Sequence, residues 1–328
     1  MLFLFMKLLT ALKKFKIKLF VFLLKDESKF NLLLFGVGRS GTTWVQDLIN
    51  NDHKFRSIFE PFNRVFQFNL NKEQQSEFNF HSYGRYIAPN AVGVENTLFI
   101  EQLFSGKLKD IVFDQKSYFR FKTRFENGRL IKEITGSMFL GYLNQRYPKT
   151  PIIYLFRNPY AILLSRFKKG WSTWDFELVM GQKELIENHL DEKLDFIKKI
   201  NHTDFYLNNF LSIATEYYVV LRELKNKPNV HFFYYEDIKE RPAKFLDFLN
   251  EKIPQKKLIN TKNVDYSKGG SGFFNGKPLN NSQAKNELRK LISKEKLLLF
   301  DAIMKAFELD EIYDVALNPT NNNFIHRF

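Results

Sequence analysis

Short apolar runs closed by glycine or proline alternate along this chain with longer stretches of helical period. Residues 31–37 (NLLLFGV) are an apolar run ended by glycine, which predicts a short buried strand. Residues 42–50 follow with Trp44, Val45, Leu48 and Ile49 on one side, which predicts a helix. Strands are expected again at 129–134, 151–156 and 229–234. Helices are expected from Pro159 through Phe167, and at 184–200, 204–225, 241–250 and 282–307. Residues 62–125 are rich in Phe, Asn and charge without a clear period, and predict loops and short helices. Strands alternating with helices imply a parallel sheet covered on both faces. The expected fold is α/β: a P-loop-like, three-layer arrangement with a central parallel sheet flanked by helices. One domain is expected over residues 30–315, preceded by a helical segment over 1–29 and followed by an Asn-rich tail over 316–328.

The first thirty residues differ from the rest. They hold seven lysines against Asp26 and Glu27, and most other positions are apolar. Their longest apolar runs, Met1–Met6 and Leu19–Leu24, are far short of the about twenty residues a spanning helix needs. No small-residue cleavage site follows them. On a helical wheel Lys7, Lys14, Lys18 and Lys25 share one stripe, with Lys13 and Lys16 off it. Two readings stay open: a basic amphipathic helix over residues 1–28 lying on a membrane surface, or a helix packed on the domain. With no spanning segment, the expected location is the cytoplasm, peripheral at the inner membrane face under the first reading.

Composition narrows the chemistry. The 328 residues include no cysteine, which excludes disulfides, thiolate nucleophiles and zinc–thiolate sites. The six histidines show no metal-ligand spacing, so no metal is expected. A net charge of +14 favours anionic partners without choosing among them.

The most informative stretch is Gly36-Val-Gly-Arg-Ser-Gly-Thr-Thr-Trp44, between the first strand and the first helix. Backbone N–H groups of such a loop, with those opening the helix, bind anionic oxygens. Gly36 and Gly41 are spaced as in a P-loop, yet Thr42 stands where an NTPase needs lysine, and the cation is Arg39 inside the loop. Arg39-Ser40-Gly41-Thr42-Thr43-Trp44 resembles the 5′-phosphosulfate loop of sulfotransferases that use 3′-phosphoadenosine-5′-phosphosulfate (PAPS). The resemblance implies that Arg39, Ser40, Gly41, Thr42 and Thr43 hold the 5′-phosphate and that Trp44 lies near the adenine. Tyr154-Leu-Phe-Arg157-Asn-Pro159-Tyr-Ala-Ile-Leu-Leu-Ser165-Arg166 resembles the same family's 3′-phosphate motif, implying that Arg157 and Ser165 hold that phosphate. An arginine fork at a strand end and a hydroxyl two turns along the next helix can share one phosphate. Lys268 and Gly269 resemble part of a late loop that closes over the same group, and Tyr235-Glu236-Asp237-Ile238 resembles a segment taken as structural.

Sulfuryl transfer needs a base for the acceptor proton and cations near the transferring group. Lys132 stands where cytosolic members place a catalytic lysine, but Ile134 occupies the position of their histidine. The segment Ser57-Ile-Phe-Glu60-Pro61 resembles the Glu-Pro element of the carbohydrate-directed branch, which makes Glu60 the expected base, with His53 and His81 behind it. The resemblance implies PAPS as co-substrate, adenosine 3′,5′-bisphosphate as product, and a carbohydrate or glycolipid acceptor, with no nucleic-acid partner. Trp171 and Trp174 are candidates to line an acceptor pocket. Two other readings compete: a P-loop kinase or NTPase, and a non-catalytic binder of anionic glycan or nucleic acid driven by charge.

Overall fold

The computed structural model describes residues 28–63, 84–94, 97–108, 124–262, 281–314 and 318–327, together with Leu12, Phe15, Leu19, Leu23, Lys25, Asp26, Val264 and Tyr266. Six parallel strands form the central sheet: β1 (Asn31–Gly36), β2 (Arg56–Phe59), β3 (Arg129–Glu133), β4 (Ile152–Phe156), β5 (Val230–Tyr234) and β6 (Ile325–His326). Their order is β2-β3-β1-β4-β5-β6. A short parallel pair, Lys25–Asp26 with Arg124–Phe125, stands apart from it.

The helices used below are α1 (Thr42–Ile49), α2 (Thr97–Ser105), α3 (Leu140–Arg146), α4 (Pro159–Lys168), α5 (Phe205–Leu224), α6 (Tyr235–Glu240), α7 (Pro242–Lys252), α8 (Asn281–Leu291) and α9 (Lys294–Ala306). Alternation along the central strands splits the core in two. Leu33 and Phe35 of β1, Tyr154 and Phe156 of β4, and Phe232 and Tyr234 of β5 face α5 and α9. Leu32 and Leu34, Ile153 and Leu155, and Phe233 face α1 and α7 through Val45, Leu48, Phe245 and Leu249. A sheet buried on both sides needs the continuous apolar runs that made these strands readable.

Local signals set the helix starts. Asn158 accepts from the amides of Tyr160 and Ala161 and Pro159 opens α4. Asp204 caps α5 through Tyr206 and Leu207, and Ser293 caps α9. The single helix expected at 184–200 is a chain of short turns, with a π-helical turn at Ile186–Leu190 and a 3-10 turn at Asp191–Lys193. Two strands of the central sheet were not expected. Both β2 and β6 are short edge strands, and β6 lies in the Asn-rich segment after residue 315. Most of the N-terminal segment and the Lys268–Gly269 loop lie outside the described residues.

Candidate active site

Where a parallel sheet ends, loops and helix N-termini gather. Here the carboxyl ends of β1, β2, β3 and β4 carry the candidate residues. Gly36 closes β1 against its neighbours: a side-chain carbon there would sit 2.5 Å from Ser40 Oγ and 3.0 Å from the Leu155 carbonyl. Gly41 opens α1 in the left-handed region, φ 97°, with the ring of Tyr235 in the space a side chain would need. Among the described residues no side chain caps α1. Its first amides therefore point into the loop, where an outside anion can accept them. Ser40 Oγ is buried and has no hydrogen-bond partner among the described residues. A buried hydroxyl without a partner costs free energy that a bound acceptor removes.

Cations converge on this loop. Arg39 donates from Nε to Ser165 Oγ at 3.0 Å, and Arg157 donates from Nη1 to the Arg39 carbonyl at 2.8 Å. Arg157 also stacks on Tyr235, 4.6 Å from the ring centre, and Trp44 meets the same ring edge-on at 5.6 Å. The Arg157 backbone is fixed by Tyr217, whose hydroxyl accepts from the Arg157 amide and donates to its carbonyl, each at 2.9 Å. Glu236 accepts from the next amide, Asn158, at 2.9 Å. Arg166 is wholly buried beneath the loop and reaches the Gly38 carbonyl, Asn209 and Ser212. Burial, then the Arg157 charge, hold the Arg39 guanidinium below its ordinary range, and Arg166 adds to this. Burial, then Arg157, likewise lower Lys239 on α6. Arg157 and Arg166 thus repel Arg39, and Arg157 repels Lys239; such a cluster of cations becomes favourable around a polyanion.

The two catalytic candidates meet. In the pairing of β2 with β3, Phe59 stands opposite Lys132, so Glu60 follows at the strand end beside it. Lys132 Nζ and Glu60 Oε1 form an ion pair, and both residues are buried. Asn63 Nδ2 donates to Glu60 Oε2 at 2.9 Å, and the Lys132 ammonium lies 4.0 Å from the Phe59 ring centre. Burial lowers Lys132 most, and the Glu60 charge opposes it. Glu60 raises Arg39, while Arg39 lowers Lys132, so the pair lies within electrostatic reach of the phosphate loop. The arrangement offers donors that can hold an anion at one end and a carboxylate with a paired ammonium at the other.

A family model described as a sulfotransferase domain matches residues 30–304. The chain belongs to the sulfotransferase family. Among solved structures it is similar to a sulfotransferase from Alicyclobacillus acidocaldarius, at 15% identity and a TM-score of 0.39, covering 86% of this chain and 95% of that one. It is also similar to mouse sulfotransferase SULT7A1 complexed with PAP, at 15% identity and a TM-score of 0.39, covering 89% and 87%. Sulfotransferase STF9 from Mycobacterium avium matches at 14% identity and a TM-score of 0.42, covering 88% and 78%. No curated protein matches the sequence.

In this sulfotransferase Arg39, Ser40, Gly41, Thr42, Thr43, Trp44, Arg157 and Ser165 come together around one loop, and Glu60 joins Lys132. Lys268, Gly269 and His81 lie outside the described residues. His53 lies past the far end of α1, an eight-residue helix about 12 Å long. That is the end opposite the phosphate loop, so the fallback base is misplaced. Trp174 is buried core, its amide donating to Asn208 at 2.6 Å, and Trp171 lies over Arg166 at 5.5 Å. Sequence reasoning took the segment opening at Tyr235 as structural. The structure places Tyr235 between Trp44 and Arg157, under Gly41. The sequence places an aromatic directly after a strand, but only the pairing of β5 with β4 brings it to the loop. Sequence reasoning also passed over Arg166, whose side chain faces the loop from below.

Proposed function

We propose that this sulfotransferase takes the sulfuryl group of PAPS to a hydroxyl or amine, with a carbohydrate or glycolipid as acceptor, and releases adenosine 3′,5′-bisphosphate. The observation that carries this reading is the buried Ser40 hydroxyl, without a partner among the described residues, in a loop whose Arg39 meets Ser165 and whose carbonyls are reached by Arg157 and Arg166. Bound there, the nucleotide supplies the activated sulfuryl group. The α1 amides, Ser40 and Thr42 hold one phosphate, Arg157 and Ser165 the other, and Tyr235 with Trp44 offers a flat aromatic wall for the base. Arg39, seated on Ser165, joins the two halves. Glu60 takes the proton of the acceptor, and Lys132 with Arg39 balances charge at the oxygen that leaves. The Glu-Pro turn at Glu60 and the arginine in the phosphate loop support the carbohydrate-directed reading over an acceptor handled by histidine.

Thermal unfolding with adenosine 3′,5′-bisphosphate, ATP or 5′-AMP tests the donor site, because a ligand that binds only the folded state raises the midpoint. A shift with the bisphosphate alone, lost in Arg157→Ala, is expected. A shift with ATP and magnesium instead overturns the reading in favour of a kinase, and no shift at all leaves a charge-driven binder.

A membrane contact is the second part of the proposal. Leu12, Phe15, Leu19 and Leu23 are helical and exposed, and their spacing of three, four and four residues puts them on one face. Together with the seven lysines of the first thirty residues, this suits an acidic lipid surface, at the cytoplasmic face. Among the described residues no helix is long and apolar enough to cross a membrane. Removing residues 1–28 is expected to abolish sedimentation with anionic vesicles while leaving nucleotide binding intact. Undiminished sedimentation removes the idea.

A further inference from the structure

Glu133 ends β3 immediately after Lys132, so alternation turns its side chain to the opposite face of the sheet. It is fully buried, and its carboxylate accepts four hydrogen bonds. Oε1 takes the amides of Ile134 at 2.7 Å and Thr135 at 2.9 Å, and the Thr135 hydroxyl at 2.9 Å. Oε2 takes the Phe62 amide at 2.8 Å. Three of these are local to the turn after β3. The fourth crosses to the turn after β2 and holds it two residues beyond Glu60.

That turn needs holding. Glu60 has φ 49°, in the left-handed region that a residue other than glycine occupies only when its surroundings fix it. Its amide donates to the Lys132 carbonyl at 2.6 Å, and Asn63 closes the turn by donating to the Glu60 carbonyl at 3.0 Å. The Phe62 ring is buried edge-on against Phe139 at 5.0 Å. One strand end therefore grips the turn twice: through the Lys132 backbone before Glu60's side chain leaves, and through the Glu133 carboxylate after it.

We propose that Glu133 is a positioning residue for the base: its two carboxylate oxygens lock the turn after β3 to the turn carrying Glu60, and so set where the Glu60 carboxylate stands beside Lys132. This rests on the reading of Glu60 as the base. The requirement is for a carboxylate specifically. A glutamine of the same shape has one acceptor oxygen, and its amide nitrogen must face either the Phe62 amide or the Ile134 and Thr135 amides, donor against donor. The group is kept although its surroundings resist its charge: burial first, and then the nearby Glu60, push the Glu133 carboxyl up to about 7, against the backbone amides that lower it. The Glu133 charge in turn raises Lys132, a cation on the other face of the strand.

The test is a double-mutant cycle between Glu60→Gln and Glu133→Gln, read by turnover of labelled PAPS with a soluble aryl glucoside and with water alone as acceptor. Nucleotide affinity is measured by calorimetry with adenosine 3′,5′-bisphosphate, and folding by thermal unfolding. Glu133→Gln is expected to lower kcat at least tenfold with the bisphosphate Kd unchanged within twofold. The double variant should be no more than about threefold slower than Glu60→Gln, since residues acting as one unit are not additive. Thr135→Val, which leaves both carboxylate oxygens in place, should lose less than threefold. Unchanged kcat in Glu133→Gln, losses that multiply in the double variant, or a parallel loss of nucleotide affinity each overturn the proposal. Should the glutamine variant not fold, Glu133→Asp, with both oxygens one methylene short, enters the same cycle. Full activity in Glu60→Gln fells the base assignment itself, and Glu133's role with it; an impaired Glu60→Gln beside a fully active Glu133→Gln fells only the positioning role.

Discussion

The ion pair of Lys132 with Glu60 is the most exacting place to perturb this molecule. Lys132 is 1% exposed and Glu60 4%. Replacing Lys132 by Met removes the ammonium and keeps the packing volume, leaving a buried carboxylate without its main partner. Breaking such a pair from one side costs about 3–5 kcal/mol. Arg39 still acts on Glu60 electrostatically and Asn63 still donates to it, so the loss belongs at the lower end. Unfolding entropy is about 2.1 cal/mol/K per residue, or about 0.7 kcal/mol/K for 328 residues, so a loss of ~3 kcal/mol lowers the Tm by about 4 °C. The second substitution, Glu60→Gln, then removes the orphaned charge. The double variant should recover more than half of the loss, because removing both charges of a buried pair costs far less than removing one. Differential scanning calorimetry of the four proteins at neutral pH decides it. A double variant as unstable as the sum of the two single losses would refute the reasoning, since the two charges would then not be partners.

Other substitutions probe the rest of the site. Gly41→Ala puts a methyl group within 2.4 Å of the Tyr235 ring at φ 97°, and should cost about 1–3 kcal/mol of stability and at least tenfold in bisphosphate affinity, read by calorimetry. Arg166→Met frees the Gly38 carbonyl and leaves Glu216 buried beside no cation; it should lower the Tm by several degrees and weaken the bisphosphate without touching a contact to the acceptor. Burial, then His326, hold His231 down at about 4, so the folded chain binds fewer protons than the unfolded one between about 4 and 6.5. Stability should therefore fall as the pH drops through that window, and His231→Phe should flatten the fall in unfolding curves taken from pH 7.5 to 5.

The two stretches proposed to hold the nucleotide were legible because each is local. One loop between a strand and a helix carries Gly36 to Thr43, and one strand-to-helix turn carries Arg157 to Ser165. What the residues could not reveal is that Arg39 reaches across to Ser165, 126 positions away, because that contact depends on β1 and β4 lying side by side. Tyr235 was missed for the same reason. Its position over Gly41 follows from β5 pairing with β4, and no spacing within the segment records it. The helical pattern at 184–200 was right about apolar positions and wrong about continuity, since periodicity does not register a π-helical turn inside it.

The catalytic half shows the opposite balance. Lys132 and Glu60 each rest on resemblance to a different branch of the family, one as a catalytic lysine and the other as the base, with nothing in the sequence to join them. The sheet makes them partners. With β2 parallel to β3 and Phe59 opposite Lys132, the residue leaving β2 has to pass the end of β3, and Glu60 is that residue. The strand itself, Arg56–Phe59, is four residues long at the sheet edge, too short to show alternation in the sequence. Its register nonetheless decides whether Glu60 meets Lys132: a slip by one residue would send the next side chain to the other face and leave the ion pair unmade. The buried Glu133 carboxylate and the Lys132 carbonyl, both gripping the turn, hold that register where the strand is too short to hold it alone.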